Sequence, residues 1–453
     1  MTRRAFLSSL CISASALPAA ERRPNIVLIL ADDLGWGDVG MNACPDIRTP
    51  NIDSIAKQGV RFTQFYANAP ECSPTRCALL TGRYQHRVGG LECAIGVNNL
   101  GRYDEAEWLQ KRGELGLPVA ETTIPRFLKN NGYDTACFGK WHLGYMDKFG
   151  PNLHGFDEYF GILGGNSDYF THEEMGEGAG QSQLYENKVK VQRKGYLTDL
   201  LAGAAVDWLK RRSEKPFFLY LPFNAPHTPI QDPDELDPKT GTAPHRDRNR
   251  TVYSKMVSRM DLAIGRVLAQ LDAMGVAKNT MVLFLSDNGG DPNGRNLPYR
   301  GTKSSVWEGG IRVPCCIRWP GRIAEGGTLA QPAMTMDLLP TILAAAGAKA
   351  PASRAFDGID LLPFLTSRRA VVERTLFWRY KRGAARRKAV RRGDWKYMND
   401  SGTEGLYNLA KDERETDNLL ARHPEIAEDL KAKLEAWERE VQAPRLAGFR
   451  AGG

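Results

Sequence analysis

The apolar positions of this chain fall into two periods. Residues 25–31 (NIVLILA), 216–223 (PFFLYLPF) and 280–285 (TMVLFL) run apolar with almost no break. Runs of this length, rich in β-branched and aromatic side chains, suit strands buried on both faces of a sheet. Residues 60–66 and 133–138 are shorter strand candidates. Elsewhere the spacing is helical: Met256, Met260, Ile264, Val267 or Leu268, and Leu271 predict a helix over 253–274. Residues 49–59 place Pro50 at the start and Gly59 just past the end, which punctuates a capped helix. Short helices are expected over 122–131 and, capped by Thr198, over 198–212. Residues 95–121 are polar without a period and read as an excursion over the surface. The segment 147–194 is rich in Gly and Tyr. Alternation of strand and helix predicts an α/β fold, a large, mostly parallel sheet flanked by helices.

After about Gly347 the texture changes. Short strand or turn candidates stand at 357–365, 375–378, 388–397 and 405–409, followed by an amphipathic helix over 423–441. They predict a small C-terminal α+β domain with a short antiparallel sheet and a helix, packed on the first. The expected division is an export signal at 1–20, a large domain at 21–347 and a C-terminal subdomain at 348–453.

In parallel α/β sheets ligands gather beyond the carboxyl ends of the strands. Here four strands end in Asp32-Asp33, Gly139-Lys140-Trp141-His142, Asn224-Ala-Pro-His227 and Asp287-Asn288. Asp32, Asp33, Asp287 and Asn288 offer only oxygen, a set suited to Ca²⁺ or Mg²⁺ rather than Zn²⁺. Lys140 and His142, two apart, face the same way on extended backbone. Lys303 lies in a Gly-rich loop that ends Trp307-Glu308-Gly-Gly. The stretch 71–84 (ECSPTRCALLTGRY) puts Pro74 in the first turn of a helix, Cys72 at its N-terminus and Arg76 one turn on. Arg76, Lys140, His142, His227 and Lys303 would surround a tetrahedral anionic transition state. Neither a Walker-type phosphate loop nor a Cys-x5-Arg phosphatase spacing is present. A thiolate nucleophile beside a carboxylate-rich metal site would be chemically awkward.

Composition narrows this picture. At 453 residues, 42% hydrophobic and 25% charged, the chain is an ordinary globular protein large enough for two or three domains. No apolar run is long enough to span a bilayer. Residues 1–20 carry Arg3-Arg4-Ala5-Phe6-Leu7 and then small residues, like a twin-arginine export signal; a general secretory signal is the alternative. Without them the formal charge falls from +8 to +6, a mild lean towards anionic partners and no nucleic-acid signature. Seven cysteines remain, an odd number, and Cys315-Cys316 sits in an apolar run that suits the core. Arg379, Lys381, Arg382, Arg386, Arg387, Lys388, Arg391 and Arg392 form a basic cluster, either a holder of a polyanionic glycan or a solvated face.

Cys72-Ser-Pro-Thr-Arg76 with Thr81-Gly82 resembles the signature of the type I sulfatases of the alkaline phosphatase superfamily. The similarity extends over the Asp32-Asp33 start, Gly139 to Gly144, Asn224 to His227, Asp287-Asn288 and Lys303 with its tail. Thr75 stands where serine is commonest. The resemblance implies an alkaline-phosphatase-like fold and hydrolysis of a sulfate ester. It further implies conversion of Cys72 to formylglycine by a separate maturation enzyme. The hydrated aldehyde carries two hydroxyls: one attacks sulfur, and the other, on losing its proton, expels sulfate. By the same resemblance Asp32, Asp33, Asp287, Asn288 and the modified Cys72 bind Ca²⁺, with Mg²⁺ the second choice. Arg76 and His142 would steady the diol, His227 would protonate the leaving oxygen, and Lys140 and Lys303 would grip the sulfate. His86, Asn166, Ser167, Asp168 and His172 are candidates for contacting a sulfated small molecule or glycan. A phosphate or phosphonate monoester hydrolase, or an unmodified glycan-binding protein, are the alternative readings.

Overall fold

β1 (Asn25–Ala31) lies at the centre of the fold. Ile26, Leu28 and Leu30 enter one apolar cluster and Val27, Ile29 and Ala31 the other, so both faces of the strand are buried. The computed structural model describes residues 22–175, 183–212, 214–350, 354–366 and 369–450; the expected export signal lies outside them.

The large sheet contains β1, β2 (Val60–Phe62), β4 (Asp134–Phe138), β5 (Glu158–Ile162), β6 (Leu184–Glu186), β7 (Val189–Lys190), β8 (Phe217–Pro222), β9 (Thr280–Ser286), β10 (Cys315–Arg318) and β11 (Gly327–Leu329). Their order is β11-β2-β10-β9-β1-β8-β4-β5-β6-β7. The run from β9 to β5 is parallel, while β10, β6 and β7 join antiparallel. The expected strand over 60–66 divides, because β3 (Phe65–Tyr66) leaves the sheet to pair with β12 (Ala333–Met334).

Helices α1 (Pro50–Lys57), α5 (Leu197–Lys210) and α6 (Arg250–Ala273) cover one face, with Ile52, Leu201, Met256, Met260 and Ile264 in its core. Helices α2 (Cys72–Thr81), α3 (Asp104–Lys111), α4 (Ile124–Asn130), α8 (Leu338–Ala346) and α9 (Leu362–Thr366) cover the other. Thr198 does not cap α5; Tyr196 does, and Thr198 is buried in the first turn. Residues 95–121 are no surface excursion. They contain α3 and bury Ile95, Tyr103, Leu109, Leu115 and Leu117 in the core.

The C-terminal sheet is antiparallel, with β13 (Thr375–Arg382), β14 (Ala385–Arg392), β15 (Trp395–Asp400) and β16 (Thr403–Asn408) in that order. The candidate at 388–397 is thus two strands joined by a turn, and the one at 357–365 is a turn leading into α9. α10 (Pro424–Glu440) lays Ala427, Leu430, Leu434 and Trp437 on this sheet. The same cluster takes in Tyr66 of β3, Ala78 of α2 and, from the short α7 (Glu308–Ile311), Ile311, while Tyr380 of β13 enters the core cluster on the α2 face of the large sheet. All seven described cysteines are free.

Candidate active site

The four strands whose ends carry the candidate residues, β9, β1, β8 and β4, are consecutive neighbours and all parallel. Their carboxyl ends therefore meet at one edge. Backbone bonds hold them together: Asp287 N donates to Ala31 O (3.1 Å), Asp32 N to Ala225 O (3.1 Å) and Lys140 N to Pro222 O (2.7 Å). Only glycine fits at position 139, where φ is +146° and a Cβ would lie 1.9 Å from Pro222 O. Asp33 (φ 64°) and His142 (φ 55°) sit in the left-handed region, at a cost of about 1–3 kcal/mol each.

α2 brings Cys72 to this edge. Its N-terminal residue is Cys72, it ends at Gly82 (φ 67°), and all ten of its residues are buried. Cys72 Sγ lies 3.3 Å from Asp32 Oδ1 and 3.4 Å from Lys140 Nζ. Three carboxylates are matched by three cations. Lys140 Nζ meets Asp32 at 2.5 Å, Lys303 Nζ meets Asp33 at 2.7 Å, and Arg76 Nη2 meets Asp287 at 2.8 Å. Arg76 also donates to the Lys140 carbonyl (2.8 Å). Asn288 Nδ2 donates to Asp33 Oδ1 (2.8 Å), while its buried Oδ1 has no hydrogen-bond partner among the described residues.

The titrations follow from this crowding. Burial and the Asp32 carboxylate push the Cys72 thiol well up, against the pull of Lys140 and Lys303. An uncharged thiol is unsuited to thiolate attack. Burial and then Asp32 push Asp287 up to about 6, against Arg76. Burial would also raise Asp33, but Lys303, His227 and Lys140 outweigh it and hold this carboxyl below its ordinary range. Burial and Lys140 push His142 well down, so it is a neutral imidazole. Its Nε2 bonds the Ile95 carbonyl (2.9 Å), leaving Nδ1 buried and unpartnered among the described residues. Burial and Lys303 push His227 down to about 3; its Nδ1 bonds the Thr228 carbonyl (2.6 Å) and its Nε2 is 3.6 Å from Asp33.

A cleft of about 180 Å³ opens over Cys72 and is lined by His142, Asn166, His227 and Lys303 among others. Of the five candidate contact residues, only Asn166 lines it. The other four are engaged elsewhere. His86 is buried against the Arg379 carbonyl (3.1 Å), and Ser167 Oγ bonds the Asp168 carbonyl (3.2 Å). Asp168 holds the Phe170 and Thr171 amides with Gln231 and Thr242, and His172 bonds the Gly195 carbonyl (3.0 Å). The lining also includes Glu71, Ile95, Arg102, Tyr145 and Arg382. Of these, Ile95 and Arg102 fall in the stretch read as a surface excursion. Its helical spacing at Tyr103, Ala106 and Leu109 was the available signal.

The basic cluster is largely ion-paired, although the side chains of Arg382, Arg386 and Arg392 remain 42–44% exposed. Arg379 pairs with Glu92, Lys381 with Glu105, Arg382 with Glu71, Arg387 with Asp400, Lys388 with Glu438 and Arg392 with Glu373. Three of those acids belong to the large α/β part and all three are met by β13, so β13 is an ion-paired seam against that part.

A family model described as Sulfatase matches residues 24–348, and one described as N-sulphoglucosamine sulphohydrolase, C-terminal, matches 302–440. The chain belongs to the sulfatase family. This sulfatase is 36% identical to N-acetylgalactosamine-6-sulfatase of Mus musculus over 82% of its own length and 71% of the relative's. It is 33% identical to the mouse steryl-sulfatase over 80% and 68%. The crystal structure of Ps i-CgsB in complex with k-i-k-neocarrahexaose superposes with a TM-score of 0.82 at 32% identity, covering 93% of this chain and 94% of that one. The enzyme is a sulfuric ester hydrolase of the alkaline phosphatase superfamily. Sulfatases use a metal ion and a formylglycine. The residues here fit such an ion: ligand atoms of Asp32, Asp33, Cys72 and His227 lie within 4.8 Å of one another, beside the unpartnered Asn288 Oδ1. No helix among the described residues is long and apolar enough to cross a membrane.

Proposed function

We propose that this sulfatase removes a sulfate ester from a carbohydrate, using a formylglycine made from Cys72 by a separate maturation enzyme and a Ca²⁺ ion. The observation that carries the reading is the Cys72 side chain at the buried start of α2, 3.3 Å from Asp32 and 3.4 Å from Lys140, under a cleft lined by His142, His227 and Lys303. Hydrated formylglycine supplies two hydroxyls on one carbon, one to attack sulfur and one to drive sulfate out. Asp32, Asp33, Asp287, Asn288 and residue 72 would hold Ca²⁺, which supplies positive charge to the attacking hydroxyl and the sulfate oxygens.

The rest falls to the chain's own side chains. Arg76, fixed by Asp287 and the Lys140 carbonyl, offsets negative charge beside residue 72. His142 takes a hydroxyl proton at Nδ1, the nitrogen left free by the Ile95 carbonyl. Lys140 and Lys303 turn from Asp32 and Asp33 to the sulfate oxygens. His227 uses Nε2 to protonate the leaving oxygen. The free imidazole is neutral, and the arriving sulfate anion favours its charged form. Asn166 contacts the sugar. Residues 1–20 act as an export signal, by the twin-arginine route to the periplasm or outside, and 348–453 form a subdomain beside the catalytic 21–347.

The carbohydrate assignment draws support from relatives named for N-acetylgalactosamine-6-sulfate hydrolysis and from the neocarrahexaose complex. Three measurements test the proposed function. Peptide mass spectrometry of residues 62–76 should give a mass lower than the cysteine form by exchange of sulfur for oxygen and loss of two hydrogens. An intact thiol throughout an active preparation would remove the nucleophile. Paired sulfate and phosphate monoesters of one alcohol should favour sulfate. Turnover of aryl sulfates but of no sulfated saccharide would sink the carbohydrate assignment.

A further inference from the structure

The arginine-rich hairpin is almost wholly consumed by carboxylates, which makes its one contribution to the cleft informative. Arg382, the last residue of β13, lines the cleft while its guanidinium braces Glu71 (2.6 Å), and its side chain is 42% exposed. Beside it stands Arg102, also lining the cleft. No hydrogen bond or ion pair engages the Arg102 guanidinium among the described residues. It is not loosely placed, however. Arg102 O accepts from Gly383 N (2.7 Å), the residue next to Arg382, and Arg102 Nε lies against Gly96, where a Cβ would approach it to 2.9 Å. One backbone bond thus sets both arginines at the same wall. Both also act on the Cys93 thiol behind that wall, opposing the upward push of its burial.

The charge count gives this wall its meaning. The deep cations Arg76, Lys140 and Lys303 are each matched by a carboxylate, and Arg382 is matched by Glu71. Arg102 is matched by none. A guanidinium presents a planar fork of donors suited to two oxygens of a sulfate or carboxylate. Tyr145 and Asn166 line the same opening. At about 180 Å³ the cleft is too small for more than the terminal ester-bearing sugar, so the neighbouring sugar of an oligosaccharide must lie over the rim.

We propose that Arg102, with Arg382, forms a second anion subsite that reads a negative group on the saccharide other than the scissile sulfate. The substrate class is then a polyanionic oligosaccharide, and a monosulfated sugar is a poorer substrate. The inference rests on the carbohydrate sulfatase reading and narrows it.

The test uses three saccharides with the same terminal sulfate ester, whose neighbouring sugar carries a second sulfate, a carboxylate or only hydroxyls. With the formylglycine-bearing enzyme, kcat/KM should be about tenfold higher for an anionic neighbour than for the neutral one. The preferred anion identifies the natural one. Arg102→Gln should reduce that ratio to near one, and Arg102→Lys should restore part of it. Because each ratio is taken on one variant, a general loss of activity cancels. Arg382→Gln should lower the same ratio, read with the same control. A wild-type ratio of one, or a ratio unmoved by Arg102→Gln, overturns the subsite. If the wild type turns over none of the three, the carbohydrate reading has failed. Calorimetric titration of the same saccharides then decides the subsite alone: equal dissociation constants overturn it, and tighter binding of the anionic pair, lost in Arg102→Gln, upholds it.

Discussion

At His142 the backbone is left-handed and the ring is buried, with one nitrogen engaged and the other free. A buried acceptor with no partner costs about 1–3 kcal/mol, and such a cost persists where a reacting group completes the pair. His142→Ala should lower kcat by about 10²–10⁴ with little change in KM. Rates on an aryl sulfate check it; an equal loss confined to KM would make His142 a binding group only. The sequence placed His142 beside Lys140 through the Gly-Lys-x-His pattern, and the two do line one site. It did not reveal which nitrogen is free, because that depends on the Ile95 carbonyl, 47 residues away. His86 makes the opposite lesson. Its place in a loop suggested a pocket residue, yet the ring is buried against Arg379 and Trp437.

At the scale of elements, the Gly-rich loop that carries Lys303 continues into α7, and Glu308 at its start anchors it. Lys396 of β15, fully buried, pairs with Glu308 (3.0 Å) and with Glu415 (2.8 Å), while Tyr66 and Arg312 also meet Glu308. Burial and the Glu308 charge push Glu415 up to about 7, against Lys396, from an ordinary 4.5. A carboxyl raised in the folded state binds its proton there after the unfolded chain has lost it. Stability therefore falls as pH rises from about 4.5 to about 7, by at most about 1.4 kcal/mol per pH unit. Glu415→Gln lacks this loss. The difference in Tm, variant minus wild type, should rise across that window and then level off. A difference independent of pH would mean that Glu415 titrates as an ordinary carboxylate. The Trp-Glu-Gly-Gly tail was visible in the sequence, but its partners come from 88 and 107 residues away and no local pattern names them.

For the whole molecule, the site is one end of a sheet closed by a second sheet. Four consecutive parallel strands deliver Asp287-Asn288, Asp32-Asp33, His227 and Lys140-His142 to the same edge, and the C-terminal hairpin adds Tyr380 and Arg382, both bonded to Glu71. With a divalent ion added, the site's three carboxylates would be shared between it and the cations that now match them. A ligand that binds only the folded chain stabilises it by about 2.7 kcal/mol at about 100 times its Kd. Chelation should therefore lower Tm and abolish sulfate hydrolysis, and Ca²⁺ should restore both, with Mg²⁺ the weaker substitute. If chelation left both unchanged, the oxygen cluster would be a structural ion-pair network and no metal centre.

The local pattern of residues determined which segments are buried strands, that Cys72 begins a helix, and which side chains stand at the strand ends. These are properties of short windows, where apolar period, a proline in the first turn and glycines at tight turns act without long-range help. Only the tertiary structure decided the rest. Strand order made β9, β1, β8 and β4 neighbours, and that order depends on crossovers no window contains. It also paired Arg382, Arg379 and Lys381 of β13 with Glu71, Glu92 and Glu105 and left Arg102 unmatched. A charge is drawn to whichever opposite charge the fold brings near it, so a basic cluster in sequence can become a neutral seam in space.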